Sequence, residues 1–341
     1  MTPAKLRGLH MGQHVGDKPI VENYVAIGWP ELGDIRRFQD REALKSEMAK
    51  PEYGFKPKAI PVQAGVLFRF VHEMKPGDLV AYPSKHDRMI NIGRLTGESS
   101  FVPEDPDEYP NHRAVEWIAQ IPRDEFSQSA LYEIGSAITL FVIKRYAAEF
   151  FGKSGQPAPK LAMGAEPEAI EEAADNDTVT QTISRRAEES TADFIIRRIM
   201  PGMSGHDFEE FVAHLLECLG YTARVTAKSG DGGVDVIAHM DALGLQPPII
   251  KVQCKRMTTP IGIAEVNQLL GTLGEGEFGL FVCLGSYTRP AIELERNRSK
   301  LRLIDGEQFV ELVLENYAKL LPRYRTLLPL KQIYVPDLLK T

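Results

Sequence analysis

Three residues in the second half of the sequence have types and a spacing that suit chemistry on a phosphate ester: Asp235, Gln253 and Lys255. Asp235 follows a glycine-rich stretch, 229–233, within a predicted strand, 233–239, and the other two alternate along a second predicted strand, 249–255. Alternate residues of a strand share a face, so pairing the strands would bring a carboxylate, an amide oxygen and an ammonium group to one sheet end. Asp235 and Gln253 could then hold Mg²⁺, which prefers oxygen ligands. Lys255 could then orient or deprotonate a metal-bound water molecule and offset charge that develops on phosphorus.

Each of these residues has an ordinary explanation when it is taken alone. Asp235 could end a turn, Gln253 could be an exposed strand residue, and Lys255 could be a solvated charge. The glycine-rich stretch could be confused with a phosphate-binding nucleotide loop, but it lacks Gly-Lys-Ser/Thr and leads into a strand. Nucleotide hydrolysis of that kind is therefore disfavoured. The combination of all three residues on paired strands is what favours a metal site.

An amphipathic helix is predicted before the first of these strands. Ser204 is suited to cap its N-terminus with Asp207 three residues on, Gly220 is suited to end it, and apolar residues recur between them at helical spacing. Glu209 falls at the border of the apolar stripe, whereas Glu210 falls on the solvated side. Glu209 is therefore the candidate accessory acid, with an ordinary surface glutamate as the alternative.

Four short stretches resemble the catalytic domain of Mrr-type restriction endonucleases: Phe-Glu-Glu-Phe at 208–211, Gly-Tyr at 220–221, Gly-Asp-Gly-Gly-Val-Asp at 230–235 and Gln-Cys-Lys at 253–255. That family belongs to the PD-(D/E)xK nuclease superfamily, in a branch where glutamine replaces the second acidic residue. The resemblance spans residues 194–320 and implies an α/β restriction-endonuclease-like domain with a mixed central sheet. It also implies hydrolysis of DNA that depends on Mg²⁺, for which Mn²⁺ can substitute, with Asp235, Gln253, Lys255 and Glu209 as catalytic residues. Val234 stands where the superfamily has its name-giving proline.

The composition describes an ordinary globular protein with two domains, because 341 residues is long for a single core. The formal net charge of −7 argues against a protein that is basic overall, as many nucleic-acid binders are. The stretch 164–177 alone carries six acidic residues and no lysine or arginine, so the rest of the chain is close to neutral. Three cysteines without CxxC spacing, and the lack of an apolar signal or membrane-spanning stretch, favour a cytoplasmic protein with no membrane partner.

The first part of the chain is predicted to be an α+β domain built on a small curled sheet or barrel. Residues 1–20 lack periodicity and are expected to be partly disordered, strands and helices follow from residue 23, and a helix over 136–151 is expected to close the domain. Short phrases at 27–29, 74–82 and 92–94 resemble PUA-like and EVE-like barrels that read nucleic acids. In that group an aromatic pocket can hold a flipped, often modified, base. Trp29, Tyr82 and Trp117 are the candidates for such a pocket, with ordinary core residues as the alternative.

These patterns divide the chain into a PUA-like/EVE-like reading domain over 1–151, an acidic linker rich in proline and alanine over 152–190, and a Mrr-like endonuclease domain over 191–341. The leading hypothesis is a modification-dependent DNA endonuclease of an antiviral host-defence system. Its partner would be double-stranded DNA, with Lys228, Arg256 and Arg289 on the backbone. Since cutting both strands needs two active sites, a homodimer or higher homo-oligomer is expected. Two alternatives stay open: a nuclease whose first domain senses a nucleotide or a protein, and a non-catalytic DNA-binding protein on a nuclease fold.

Overall fold

The computed structural model describes residues 6–136, 138–155, 176–226, 233–241, 244, 246 and 248–333, with the backbone alone at 13 and 176–186. The chain divides into two compact units. Of the described residues, those up to Glu188 form the N-terminal unit and those from Glu189 form the C-terminal unit. Across the described ranges, no helix combines the length and the apolar character needed to cross a membrane.

The N-terminal unit is built on a six-stranded mixed sheet. Its strands are β1 (Leu6–Leu9), β2 (Tyr24–Ile27), β3 (Leu79–Pro83), β4 (Met89–Phe101), β5 (Asn111–Pro122) and β6 (Leu140–Val142). They lie in the order β2-β5-β4-β3-β1-β6, and all neighbours are antiparallel except β1 and β3. A barrel requires its edge strands to pair, and within the described residues the edge strands β2 and β6 do not. The predicted barrel is therefore wrong, and the sheet is open.

Helices cover both faces of this sheet. They are α1 (Lys18–Val21), α2 (Arg41–Met48), α3 (Ile60–Phe68), α4 (Gln128–Ile134) and α5 (Ala147–Lys153). Side chains alternate along β4, so that Ile90 and Ile92 join an apolar cluster with α4 and α5, while Leu95 joins the cluster formed with α2 and α3. The residues between the two isoleucines and beyond them, Asn91 and Gly93, therefore lie on the face that α2 and α3 cover.

Two sequence predictions fail at the far edge of this sheet. The helix predicted over 136–151 is wrong, since β6 pairs with β1 from Leu140 to Val142 and only α5 is helical. The same pairing orders Leu6–Leu9, which the sequence analysis places in a partly disordered stretch. Both strands are short and satisfy their backbone groups through partners distant in sequence, which local periodicity does not reveal.

The C-terminal unit is built on a five-stranded mixed sheet, as predicted. Its strands are β7 (Thr222–Val225), β8 (Val236–His239), β9 (Ile249–Lys255), β10 (Glu277–Cys283) and β11 (Leu301–Ile304). They lie in the order β11-β10-β9-β8-β7, in which β7, β8 and β9 are antiparallel and β9, β10 and β11 are parallel. The turn at 241–248 thus joins an antiparallel pair, and helical crossovers join the parallel strands.

Six helices accompany the second sheet: α6 (Asn176–Gly202), α7 (Gly205–Cys218), α8 (Ile263–Leu270), α9 (Arg289–Arg296), α10 (Gly306–Glu315) and α11 (Pro322–Leu327). Helices α7 and α10 pack on one face of the sheet through Phe208 and Phe309, and α8 and α9 pack on the other through Val266 and Ala291. Helix α6 occupies 176–190, which the sequence analysis assigns to the linker; the remainder of that prediction, 156–175, lies outside the described residues.

Helix α7 has the start that its sequence predicts. The Ser204 hydroxyl accepts a hydrogen bond from the Asp207 backbone N–H at 3.1 Å, and the Asp207 carboxylate accepts one from the Ser204 backbone N–H at 2.8 Å. This reciprocal capping box satisfies backbone donors that the first helical turn leaves without partners. The position of α7 matters for function because it carries Glu209.

Candidate active site

Asp235 is held at the end of the second sheet by backbone hydrogen bonds on both sides. Its N–H donates to the Val252 carbonyl at 2.8 Å, and its Oδ2 accepts from the Cys254 N–H at 2.7 Å. The β8–β9 register sets Val236 opposite Val252, and continuing it by one residue sets Asp235 opposite Gln253. Directly opposed residues of an antiparallel pair share a face. The structure therefore brings together the carboxylate and the amide that the sequence analysis pairs.

Gln253 is a buried amide with an unsatisfied acceptor. Its side chain is 3% exposed, and Oε1 has no hydrogen-bond partner among the described residues. A Cβ at Gly233 would lie 3.2 Å from Gln253 Nε2 and 3.6 Å from Gln268 Nε2, and Gly233 has a φ of +92°. Glycine is thus required both by the backbone conformation and by the space that the two amides occupy. A buried acceptor without a partner lowers the stability of the fold by roughly 1–3 kcal/mol. A hydrogen-bond donor or a cation that bound Gln253 Oε1 would offset this loss.

The Asp235 carboxyl titrates above its usual range. Burial is the main cause of the raised pKa, and the negative charge of Glu209 raises it further. The Cys254 N–H and the positive charge of Lys255 oppose this rise in pKa. Lys255 and Glu209 therefore both lie near enough to Asp235 to shift its pKa, and the neutral Gln253 lies opposite Asp235 across the strand pair.

The two charged neighbours of Asp235 differ in how they are held. Lys255 ends β9 and is partly buried, and its side-chain ammonium forms no hydrogen bond or ion pair within the described ranges. Glu209 lies in the first turns of α7, 20% exposed, and its Oε2 is 3.0 Å from His206 Nδ1. Lys255 is consequently available to a substrate, whereas Glu209 is held by its own helix.

The donor set fits a hard divalent cation. One carboxylate and one unsatisfied amide oxygen are oxygen ligands of the kind that Mg²⁺ takes while it keeps several waters. Within the described residues, no group of three or more histidine, cysteine, aspartate and glutamate side chains is arranged to hold a metal. The set is thus too sparse and too hard for a structural zinc site, which needs four closely spaced nitrogen or sulfur ligands.

Two of the three residues predicted to contact the DNA backbone lie within the described residues, and each has a partner of its own. The Arg256 guanidinium donates to the Met200 carbonyl at the end of α6, and Arg289 forms an ion pair with Glu293 at 3.0 Å. Lys228 lies outside the described residues. Arg256 therefore has a local structural partner, whereas Arg289 is 60% exposed in its side chain and is the better placed of the two for a phosphate contact.

Two of the three predicted pocket aromatics are neighbours. The rings of Tyr82 and Trp117 are 6.3 Å apart at 37°, and the Trp117 indole N–H donates to the Pro19 carbonyl at 3.1 Å. Tyr82 is 2% exposed and belongs to the apolar cluster, and Trp117 and Trp29 pack against that cluster as partly buried residues. Among the described ring contacts, none joins Trp29 to the other two. Trp29 holds a left-handed backbone, with φ of 66° and ψ of 60°, which is strained for a bulky residue.

Two groups in the C-terminal site were not predicted from the sequence. The Cys254 N–H that holds Asp235 is a backbone donor and leaves no signal in the sequence. Gln268 is an exposed residue of α8 whose amide nonetheless lies beside Gly233. A glutamine on an amphipathic helix reads as a surface residue, so only the packing of α8 against the sheet end reveals it.

Two parts of the chain match known protein families. Residues 200–313 match a family model described as restriction endonuclease, the Mrr catalytic domain, and residues 7–141 match a domain of unknown function (DUF8426). Residues 200–313 are therefore similar to the Mrr-type restriction endonuclease catalytic domain, as the sequence resemblance predicts.

Two curated relatives share part of the chain. The type IV methyl-directed restriction enzyme EcoKMrr of Escherichia coli (strain K12) is 27% identical over 156 residues, covering 44% of this chain and 50% of the relative. The uncharacterized protein y4cE of Sinorhizobium fredii (strain NBRC 101917 / NGR234) is 33% identical over 103 residues, covering 29% of this chain and 26% of the relative. The chain thus spans half the length of the first relative and about a quarter of the second.

Two solved structures resemble the chain in outline. The MspJI restriction endonuclease in complex with a 27-mer oligonucleotide has a TM-score of 0.33 and 17% identity, covering 73% of this chain and 64% of that one. The DNA modification-dependent restriction endonuclease AspBHI has a TM-score of 0.31 and 18% identity, covering 87% and 76% respectively. Both TM-scores are low, so neither similarity defines the fold of the whole chain.

Proposed function

We propose that this protein is a metal-dependent DNA endonuclease whose active site comprises Asp235, Gln253 and Lys255, with Glu209 as an accessory acid. The observation that carries the proposal is the buried, unsatisfied Gln253 Oε1 directly across the strand pair from Asp235. The match of residues 200–313 to the restriction endonuclease family supports DNA as the substrate. A non-catalytic role is disfavoured because it gives no reason to keep that acceptor buried and unsatisfied.

In this proposal Asp235 and Gln253 hold Mg²⁺, for which Mn²⁺ can substitute. The chemistry that such an ion supplies is polarisation of the phosphate and a lowered pKa of the attacking water. The Cys254 N–H fixes one oxygen of Asp235 and so orients the carboxylate. Lys255 Nζ donates hydrogen bonds to a phosphate oxygen and stabilises the negative charge that builds up there. Glu209 adds a second carboxylate that favours cation binding and raises the pKa of Asp235.

For the whole chain we propose a modification-dependent restriction enzyme of antiviral host defence that works in the cytoplasm. Residues 1–151 would read the DNA through a PUA-like or EVE-like domain, 152–190 would connect, and 191–341 would cut. The similarity of part of the chain to the type IV methyl-directed restriction enzyme EcoKMrr supports this proposal. The proposed assembly is a homodimer or higher homo-oligomer on double-stranded DNA.

Cleavage of supercoiled plasmid by the full chain tests the active site. We expect nicking and linearisation with Mg²⁺ or Mn²⁺, none with EDTA, and a loss of about 10²-fold or more in Asp235→Asn and Lys255→Met. Both substitutions are close in shape to the original residues, and thermal melting shows whether each variant is folded. Metal-dependent cleavage at the wild-type rate by a folded Asp235→Asn chain would refute the assignment.

Dependence on base modification is tested with the same DNA prepared three ways. We expect faster cleavage of DNA that carries 5-methylcytosine or 5-hydroxymethylcytosine than of the unmodified DNA. Equal rates on all three would favour the alternative in which the first domain senses a nucleotide or a protein. The test with the active-site variants does not depend on base modification. The active-site assignment and the dependence on modification are therefore tested separately.

A further inference from the structure

An arginine at the end of β9 holds the connection between helices α6 and α7. Arg256 follows Lys255 directly, and its Nη1 donates a hydrogen bond to the Met200 carbonyl. Met200 lies in the last turn of α6, and Ser204, four residues further on, caps the start of α7. The α6–α7 corner, residues 200–204, is therefore bound to the carboxyl end of β9.

The Met200 carbonyl needs a donor from outside its own helix. In a continuous helix this carbonyl would accept from the N–H four residues on, which is that of Ser204. That N–H donates instead to Asp207 Oδ2 at 2.8 Å, as part of the capping box of α7. The Arg256 guanidinium supplies the missing donor, and its positive charge lies at the negative end of the α6 dipole. Arg256 thus allows α6 to end and α7 to begin without an unpaired carbonyl at Met200.

The Arg256 side chain is directed into the fold. Arg256 is partly buried, and its Nε is buried without a hydrogen-bond partner among the described residues. An arginine that binds a phosphate presents its fork of N–H donors to the ligand, whereas here one donor faces the end of α6 and another is enclosed. The structure therefore favours a role for Arg256 within the fold over the DNA contact that the sequence analysis predicts.

The two segments that this arginine joins carry members of the proposed active site. Strand β9 ends with Lys255, and α7, which begins at the corner, carries Glu209 in its second turn. Phe208, next to Glu209, packs in the same apolar cluster as Val252 of β9, so the start of α7 lies against the strand. A displacement of the corner would therefore move Glu209 relative to Lys255 and to Asp235.

We propose that Arg256 is a positioning residue of the active site: by binding the α6–α7 corner to the end of β9, it fixes Glu209 relative to Asp235 and Lys255. This inference rests on the proposed function, because the residues that Arg256 positions are those of the proposed nuclease site. A displacement of about 1 Å by a group remote from the chemistry can lower a rate by about 10²-fold. Arg256 would thus support cleavage without contacting DNA.

Cleavage kinetics of the full chain separate positioning from DNA binding. Supercoiled plasmid is cut in Mg²⁺ by the wild type, Arg256→Met, Arg256→Lys and Arg302→Met. We expect Arg256→Met to lower kcat by about tenfold or more and to leave KM unchanged. Arg256→Lys keeps the charge and a donor, so it should recover part of the loss. Arg302→Met removes an equal charge from an exposed side chain of the same unit and should leave kcat and KM unchanged.

A double-mutant cycle tests whether Arg256 acts through Glu209. Arg256→Met is introduced into the wild type and into Glu209→Gln, and the two reductions in kcat are compared. We expect the smaller reduction in Glu209→Gln, because the carboxylate that Arg256 positions is then already absent. Equal reductions in the two backgrounds would show that Arg256 acts independently of Glu209 and would overturn the inference.

Hydrogen exchange in EDTA provides a readout that does not depend on cleavage. Arg256→Met should speed the exchange of backbone amides over 202–209 and leave those over 211–218, in the same helix, close to the wild type. Arg302→Met should leave both ranges unchanged. Thermal melting shows whether each variant is folded, and if Arg256→Met is not, Arg256→Lys and Arg302→Lys are compared in the same two measurements.

The outcomes separate this inference from the proposed function. A higher KM with a weaker salt dependence and an unchanged kcat would make Arg256 a DNA contact. A lower melting temperature with both constants unchanged would make it a helix cap alone, and either result overturns the positioning role. Unchanged exchange over 202–209, in a protein whose wild type cuts DNA, overturns this inference and leaves the nuclease standing. A wild type that cuts no DNA in Mg²⁺ refutes the proposed function, and the positioning role with it.

Discussion

The negative charge on Asp235 destabilises the metal-free fold. Its pKa is raised, chiefly by burial, so the stability that the protonated form contributes is present at low pH and is lost as the pH rises through that pKa. We therefore expect Asp235→Asn to melt at a higher temperature than the wild type in EDTA at neutral pH, with the difference vanishing as the pH falls. Asparagine can still accept the Cys254 hydrogen bond, which keeps the local backbone intact.

Thermal melting across a range of pH measures this difference in melting temperature. Titration with Mg²⁺ then tests whether Asp235 binds the metal. Added Mg²⁺ should raise the melting temperature of the wild type by binding the folded state, and should leave Asp235→Asn unchanged. A variant that is less stable than the wild type at neutral pH in EDTA would mean that the carboxylate is stabilising. Equal responses of both chains to Mg²⁺ would place the ion elsewhere.

Replacing the Gln253 amide should increase stability and abolish activity. Gln253→Met keeps the length of the side chain and removes the unsatisfied acceptor, so we expect the free energy of unfolding to rise by about 1 kcal/mol and metal-dependent cleavage to be lost. Gln268→Met is the matched control for stability, since that amide is exposed and its loss leaves nothing buried. Denaturant unfolding and plasmid cleavage measure the two effects. A destabilised Gln253→Met chain would show that the acceptor has a partner after all.

At the scale of the element, helix α7 places two adjacent carboxylates in different surroundings. Glu209 acts electrostatically on Asp235, whereas Glu210 pairs with Arg323 at 3.0 Å. Removing the charge of Glu209 lowers the pKa of Asp235, so Glu209→Gln should move the acid limb of the cleavage–pH profile to lower pH. Glu210→Gln should leave the profile in place. Identical profiles for the two variants would remove Glu209 from the site.

Elements with local signals were predictable from the sequence. The capping residues and apolar spacing of α7, and the apolar runs of β9, β10 and β11, indicate structures close to those observed. Strand β6 was not predictable, because three residues pair with β1 more than a hundred residues earlier. The open order of the first sheet has the same origin, since the strand neighbours are set by long-range pairing that short phrases do not encode.

The features of the candidate site likewise differ in whether the local sequence predicts them. The opposition of Asp235 and Gln253 follows from two strands joined by a short loop, so residue type and alternation are enough to predict it. The missing partner of Gln253 Oε1 depends on everything packed around it and has no counterpart in the sequence.

At the scale of the whole molecule, the number of proposed active sites would decide how a duplex is cut. Asp235, Gln253 and Lys255 all belong to the C-terminal unit, so one chain provides one set of these residues for two antiparallel DNA strands. A symmetric dimer would present two sets related by a two-fold axis, as the two strands of a duplex are. Double-strand cleavage by such a dimer requires that both subunits be active.

Mixing active with inactive chains tests this requirement. Wild type and Lys255→Met are co-expressed in equal amounts and assayed at fixed total protein; random pairing leaves about a quarter of the dimers with two active sites. Linearisation should therefore fall to about a quarter of the wild-type rate, while nicked circles accumulate from dimers with one active site. Chains that act independently would give about half the rate, because dilution alone then operates. Equal mixing with Glu210→Gln should leave the rate unchanged, which shows that dilution by a second variant is not itself inhibitory.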